Sequence, residues 1–186
     1  MIADVLTDTT ERMDRAVEVA KEDFASIRTG RANPAMFQKV MINYYGTPTP
    51  LNQLAGLQNP EARTMLITPY DKGALRDIEA AIRDIPNLGA SPSNDGAVIR
   101  VQLPELTEER RREYVKVVKT KGEEHKIAIR NERRDAKEMV EEAVKEGELT
   151  EDEGKKALEK VQAEVDLGVK KVDEIVAAKE KDLMQV

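Results

Sequence analysis

LTEERRREYVKVVKTKGEEHKIAIRNERRDAKEMVEEAVKEG, Leu106–Gly147, is the stretch whose reading decides the fold. Thr107 is a good N-cap, and Glu108 and Glu109 suit the positive end of a helix. The interior has no proline and one glycine, Gly122, and Gly147 stands where a helix C-terminus favours glycine. The spacing predicts one helix of about 40 residues, on the order of 60 Å long at ~1.5 Å per residue. Two stripes run along it. Tyr114, Val118, Ala128, Ala136, Met139 and Ala143 recur at intervals of threes and fours, as an apolar face does. Arg112, Lys116, Lys119, Lys126, Arg130, Arg133 and Lys137 keep the same rhythm two residues out of phase, roughly 200° around the axis. One face is expected to pack and the opposite face to present cations.

The positive charge is local. From Arg110 to Arg134 ten Lys/Arg face four Asp/Glu, a net +6, while the whole chain is −6, leaving −12 for the remainder. A concentrated basic face on an acidic protein points to contact with a polyanion. A solvated helix face laced with i,i+4 ion pairs would have the same composition, and the stripe alone does not separate the two readings. The stripe contains no aromatic residue on which an unpaired base could stack. Its arginines, densest at Arg130, Arg133 and Arg134, suit the phosphates of structured RNA, read by shape.

Working outward, Ile2, Leu6, Met13, Val17, Ala20, Phe24 and Ile27 make a heptad-like seam and predict a first helix of roughly 25 residues, stopping at Thr29-Gly30. On the far side, Thr150 and Glu153 match a capping box, and Leu158, Val161, Val165, Val172, Ile175 and Leu183 supply the seam of a third helix. Residues 31–104 differ in texture. They hold all eight prolines and half of the ten glycines. Val40, Ile42 and Tyr44 alternate, as do Met65 with Ile67 and Ile99, Val101 with Leu103, which reads as short half-buried strands. Leu75, Ile78, Ile82 and Ile85 mark a helix opened by Asp71, and Asn94-Asp95-Gly96 is a turn signal. The fold class expected is α+β. An antiparallel three-helix bundle, residues 1–30 and 105–186, carries an inserted small β/α/β domain, residues 31–104. The chain passes between the two near Gly30 and near Pro104, a glycine and a proline that suit a restricted hinge.

Composition excludes several function classes. With no cysteine there is neither a disulfide scaffold nor a thiolate nucleophile, and with His125 as the single histidine a metal site would need carboxylates alone. His125 falls on or beside the apolar stripe and reads as a packed structural residue. Gly154-Lys155-Lys156 lacks the upstream glycine and the Ser/Thr of a P-loop, and no Gly-x-Ser-x-Gly occurs. No catalytic residue, cofactor or metal is expected. The N-terminus carries early acid and no signal-peptide pattern, and the uncharged stretch Val40–Pro60 is too broken by proline and glycine to span a membrane. A cytoplasmic monomer without DNA or membrane partners is expected.

Several runs in order along the chain resemble the bacterial ribosome recycling factors: Ile27-Arg28-Thr29-Gly30-Arg31-Ala32, Tyr44-Tyr45-Gly46-Thr47-Pro48, Asn94-Asp95-Gly96, Leu106-Thr107-Glu108-Glu109-Arg110-Arg111, Ile129-Arg130-Asn131 and Arg133-Arg134-Asp135. The likeness covers essentially the whole chain and ends in Lys179-Glu180-Lys181-Asp182-Leu183. It implies an L-shaped two-domain protein, a non-enzymatic translation factor. Such a factor binds large-subunit rRNA of the post-termination 70S ribosome and, with elongation factor G and GTP, splits it into subunits. It maps the family's RNA-contacting arginines onto Arg110, Arg130, Arg133 and Arg134, to which the stripe adds Lys119 and Lys126. It maps the hinge onto Thr29-Gly30-Arg31 and Leu103-Pro104-Glu105. One departure stands out: after Arg130-Asn131 the family usually carries an aliphatic residue, and this chain has Glu132, on the seam. The competing readings are a helical scaffold or chaperone-like adaptor, which would bind proteins through an apolar patch insensitive to salt, and an unrecognised hydrolase.

Overall fold

The computed structural model describes residues 2–86 and 88–185. The chain forms two compact units. One holds Phe24 and the residues before it together with Val115–Glu180; the other holds Ala25–Tyr114 and the chain from Lys181 onward. The sequence texture divides the chain instead near residues 30 and 105. The ends of the long helices therefore count with the second unit, and two buried arginines described below show why.

The first unit is built from three helices, α1 (Ile2–Ala25), α4 (Glu108–Lys145) and α5 (Glu151–Met184). The expected stretch is one unbroken helix of 38 residues. Its start is set by Thr107, whose Oγ1 accepts the Arg110 N–H at 3.2 Å. Its end is a Schellman turn. Gly147, at φ +76°, donates to Val144 O at 3.1 Å and Glu148 donates to Ala143 O at 2.9 Å, a left-handed step that glycine makes without strain. The capping box forms as read: Glu153 Oε2 accepts the Thr150 N–H at 2.9 Å, and Thr150 Oγ1 accepts the Glu153 N–H at 3.2 Å.

The cross-helix pairs fix the directions. Asp23 of α1 meets Lys121 and His125, while Arg12 meets Glu132, so α1 and α4 are antiparallel. Lys119 and Lys126 of α4 meet Glu180 and Asp173, so α4 and α5 are antiparallel too. The core between the helices contains Met13, Val17, Ala20, Phe24, Val118, Ile129, Ala136, Val140, Val161, Val165 and Val172. Two expectations change here. Ala128 is exposed and Ile129 is buried, so the α4 seam runs Val118, Gly122, Ile129, Ala136, Val140. Moreover, α1 stops at Ala25 instead of Thr29-Gly30, and Ile27 and Arg28, both buried, count with the second unit.

Glycines let α4 and α5 approach closely. A Cβ on Gly122 would lie 2.6 Å from Val176 Cγ2, and one on Gly154 would lie 2.6 Å from Val144 Cγ2. Neither glycine has a left-handed backbone, so both are there for space.

The second unit strings β1 (Met41–Tyr44), β2 (Thr47–Pro50), α2 (Leu51–Leu54), β3 (Ala55–Glu61), β4 (Thr64–Pro69), α3 (Leu75–Arg83), β5 (Ser91–Asn94) and β6 (Ile99–Gln102). β1 and β2 form a hairpin through Tyr45 and Gly46, both at positive φ, the primed two-residue turn that matches strand twist. The other four strands make an antiparallel sheet in the order β3-β4-β6-β5. Met65, Ile67, Ile78, Ile82, Ile99, Val101 and Leu103 are all buried, so the alternations read from the sequence do mark the core. Asp71 opens the helical stretch by accepting the Gly73 N–H at 2.8 Å, one turn ahead of α3. The strands that the alternation did not show are β2, β3 and β5. The last two are sheet edges, and all three carry proline, which edges tolerate because one side of the strand needs no donor.

Among the described residues no helix is long and apolar enough to cross a membrane.

Overfilling the close approach should cost stability: Gly122→Val is expected to lower unfolding free energy by about 2 kcal/mol. Chemical denaturation checks this, and an unchanged midpoint would mean the helices can part there freely.

Candidate nucleic-acid interface

The cations of α4 fall into two sets. Lys119, Lys126 and Arg133 are seven residues apart and lie beside the packed seam, facing α5. Each meets a polar partner there. Lys119 Nζ stands 3.9 Å from Glu180. Lys126 Nζ is held at 2.9 Å by Asp173 and at 2.7 Å by Glu123, with its side chain only 15% exposed. Hydrogen bonds donated to Glu123 first and Asp173 second raise the Lys126 pKa above the ordinary lysine value. Arg133 Nη1 donates to Gln162 Oε1 at 3.0 Å, and Gln162 Nε2 donates to Asp166 Oδ1 at 2.9 Å. Glu180, Asp173 and Asp166 are also seven apart, so α5 lays an acidic rail beside this basic row. Lys126 is therefore no outward cation as the stripe suggested. Ala128, counted in the apolar stripe, is exposed, so the face opposite that stripe is not the face opposite the core.

The second set overlaps the first at Arg133 and is exposed. Arg130 is exposed, with no acceptor at hydrogen-bond or ion-pair distance among the described residues. Arg134 is 69% exposed, with Asp135 at a loose 3.9 Å. Arg133 is exposed despite its amide partner. These three stand within five residues on one helix and form the free cationic cluster. Arg110 is exposed too, but it lies 20 residues earlier, about 30 Å along α4, and belongs with the other unit.

Two buried arginines, Arg111 and Arg28, have internal work. Arg111, in step with Val118 by seven residues, is 8% exposed. It donates through Nε to Leu106 O at 3.2 Å and through Nη1 to Leu183 O at 2.9 Å and to Gln185 O. Arg28, 4% exposed, donates to the carbonyls of Leu88 and Pro104, and its burial lowers its pKa from the usual arginine value. Both gather carbonyls that lie outside or at the ends of regular elements. The seven-residue step from Val118 was a legible signal for Arg111. Nothing in the local sequence marked Arg28.

The residues assigned to the hinge all lie in the second unit. Leu103 is buried and its N–H donates to Arg63 O at 2.8 Å, Pro104 O receives Arg28, and Thr29, Gly30, Arg31 and Glu105 border a 680 Å³ cavity with Arg111. His125 packs at 5.5 Å from the Phe24 ring with Nε2 2.8 Å from Asp23 Oδ2, the structural role expected. Burial pushes the Asp23 pKa up, but hydrogen bonds from Lys121 and His125 outweigh it and hold the carboxyl below its usual range. Glu132 does sit on the seam, between Ile129 and Ala136. Its Oε2 is buried without a hydrogen bond, and the nearest cation is Arg12 Nη1 at 3.8 Å.

Comparison with known proteins decides the family. A sequence profile of ribosome recycling factors matches residues 20–184. The chain belongs to the ribosome recycling factor family. The ribosome-recycling factor of Paenarthrobacter aurescens is 58% identical over 186 residues, all of both chains, and that of Streptomyces coelicolor is 55% identical over the same span. A solution structure of a ribosome recycling factor superposes with a TM-score of 0.75 at 41% identity, covering 100% of this chain and 98% of the other. A second structure superposes at 0.67 with 38% identity and full coverage of both chains. It represents the T. thermophilus ribosome recycling factor and the E. coli elongation factor G bound to the E. coli post-termination complex. The long helices and the small sheet unit are those of the family.

Because Oε2 of Glu132 is buried without a donor, Glu132→Leu is expected to raise stability by about 1 kcal/mol, with Arg12 retaining Asp8 at 2.9 Å. Thermal unfolding reads the change, and a lower midpoint would show that the distant Arg12 pairing outweighs the burial.

Proposed function

We propose that this protein binds the post-termination 70S ribosome and, with elongation factor G and GTP, separates it into subunits. The observation that carries the reading is full-length likeness to ribosome recycling factors, including one described on a post-termination complex with elongation factor G. The protein acts by binding and force transmission in the cytoplasm and is not itself an enzyme; the GTP hydrolysis is its partner's.

The geometry supports a division of labour. Arg130, Arg133 and Arg134 lie on a helix capped at both ends and packed along its length, so their guanidinium groups are displayed from a stiff support. Planar guanidinium forks match phosphate oxygens two at a time, and several together recognise the backbone of folded rRNA without reading sequence. Arg110 adds a contact farther along the helix. Lys119 and Lys126 have a lesser part, since their charges are already matched by α5. The acidic remainder of the chain repels nucleic acid elsewhere and confines docking to this face. The connections at Thr29-Gly30-Arg31 and Leu103-Pro104-Glu105 serve as the hinge, between a bundle of residues 1–30 and 105–186 and a small domain of residues 31–104. A Cβ at Gly30 would make only an ordinary 3.9 Å contact, so substitution there acts on backbone freedom and not on packing.

Sedimentation of 70S ribosomes with this protein, elongation factor G and GTP, each omitted in turn, tests the reading. Subunits should appear only with all three. Arg133→Ala is expected to weaken ribosome binding while changing stability by less than about 0.5 kcal/mol; undiminished affinity at moderate salt would remove the cluster from the interface. Gly30→Pro should slow subunit splitting at unchanged binding, because proline fixes φ and restricts Thr29 before it. A wild-type splitting rate in that variant would place the moving joint elsewhere.

A further inference from the structure

Beside the free cluster on α4 lies a groove of 320 Å³ that reaches across to α5. Arg130 and Arg133 form one wall, Gln162 and Lys170 the other, and Val165 and Val169 the floor. Lys170 is exposed and has no acceptor at hydrogen-bond or ion-pair distance among the described residues. Two carboxylates also border the groove, but each is engaged: Asp166 accepts from Gln162 at 2.9 Å, and Asp173 accepts from Lys126 at 2.9 Å. Three cations, of which Arg133 alone has a hydrogen-bond acceptor among the described residues, therefore line one concave site of mixed polarity.

We propose that α5 supplies the second wall of the RNA interface, with Lys170 contacting an rRNA phosphate next to those that Arg130 and Arg133 bind, and Gln162 acting as a positioning residue for Arg133. This rests on the ribosome-binding reading above and adds residues from a helix to which no RNA contact had been assigned. Gln162, Asp166 and Lys170 are four apart, so they stand one above another on a single face of α5. Asp166 takes the amide nitrogen of Gln162, which turns the amide oxygen toward Arg133. That oxygen occupies one N–H edge of the guanidinium, and the remaining donors stay available to the groove. A neutral amide suits this task. It fixes the guanidinium direction without neutralising its charge, which a carboxylate in the same place would do. The apolar floor lowers the competition from water for the phosphate oxygens.

The test measures affinity of the full-length protein for 70S ribosomes across a salt series, for Arg133→Ala, Lys170→Ala, Lys170→Arg, Gln162→Leu and the Gln162→Leu/Arg133→Ala double variant, with melting temperatures as the check on folding. Lys170→Ala should weaken binding about five-fold and reduce the steepness of the salt dependence by about one phosphate contact, and Lys170→Arg should restore both. Gln162→Leu should weaken binding several-fold alone and have no further effect once Arg133 is absent, because it acts through that arginine. If Lys170→Ala leaves the salt slope unchanged while Arg133→Ala weakens binding, the second wall is wrong and the docking face stands. Additive losses from Gln162→Leu and Arg133→Ala would overturn the positioning role. If Arg133→Ala itself leaves binding unchanged, the docking face fails, and the groove with it.

Discussion

The close packing of α4 against α5 is the constraint on which the charge display depends. Gly122 and Gly154 stand where any side chain would meet a valine methyl at 2.6 Å, so the two backbones approach more closely than aliphatic ridges alone would allow. At that separation the residues flanking the seam are within reach of their counterparts on the other helix. Seven-residue spacing then converts one contact into a series: Lys119 with Glu180, Lys126 with Asp173, and Arg133 with the Gln162–Asp166 pair. The packing thus sorts a run of basic residues into those used internally and those left outward.

That sorting has an electrostatic consequence. A lysine tied to two carboxylates, as Lys126 is, contributes little net field to an approaching polyanion, whereas Arg130 and Lys170 contribute theirs in full. The rail ends its string of direct ion pairs at Arg133, where an amide replaces the carboxylate. The transition from matched to unmatched charge occurs within a few residues and creates a local positive site on a protein whose overall charge is −6. Salt dependence of binding is the natural signature of such a site, since each phosphate contact releases condensed counterions.

Arginine has a different use in the second unit. Arg28 and Arg111 are buried and, among the described residues, pair with no carboxylate; each spreads its donors over backbone carbonyls, most of them from segments distant in sequence. Leu88, Pro104, Leu183 and Gln185 lie outside or at the ends of regular elements, where carbonyls lack ladder or helix partners. A guanidinium with five donors satisfies several at once. This is why the ends of the long helices count with the sheet unit.

The sequence by itself determined the long helices, their caps, the central strands and the family, because these rest on local spacing: threes and fours for a packed helix, twos for a half-buried strand, and single residues such as Thr107, Gly147 and Glu153 at the termini. It also showed the total of positive charge on α4. It could not show which of those charges are free, since Lys126 and Arg130 are alike in local context and differ only in what α5 brings beside them. Nor could it show that Ile129, not Ala128, faces the core, or that the edge strands exist at all, because proline-bearing edges take their pairing from a neighbour and not from their own alternation. Partnership across helices and strands is a property of distance in space, and tertiary packing alone decided it.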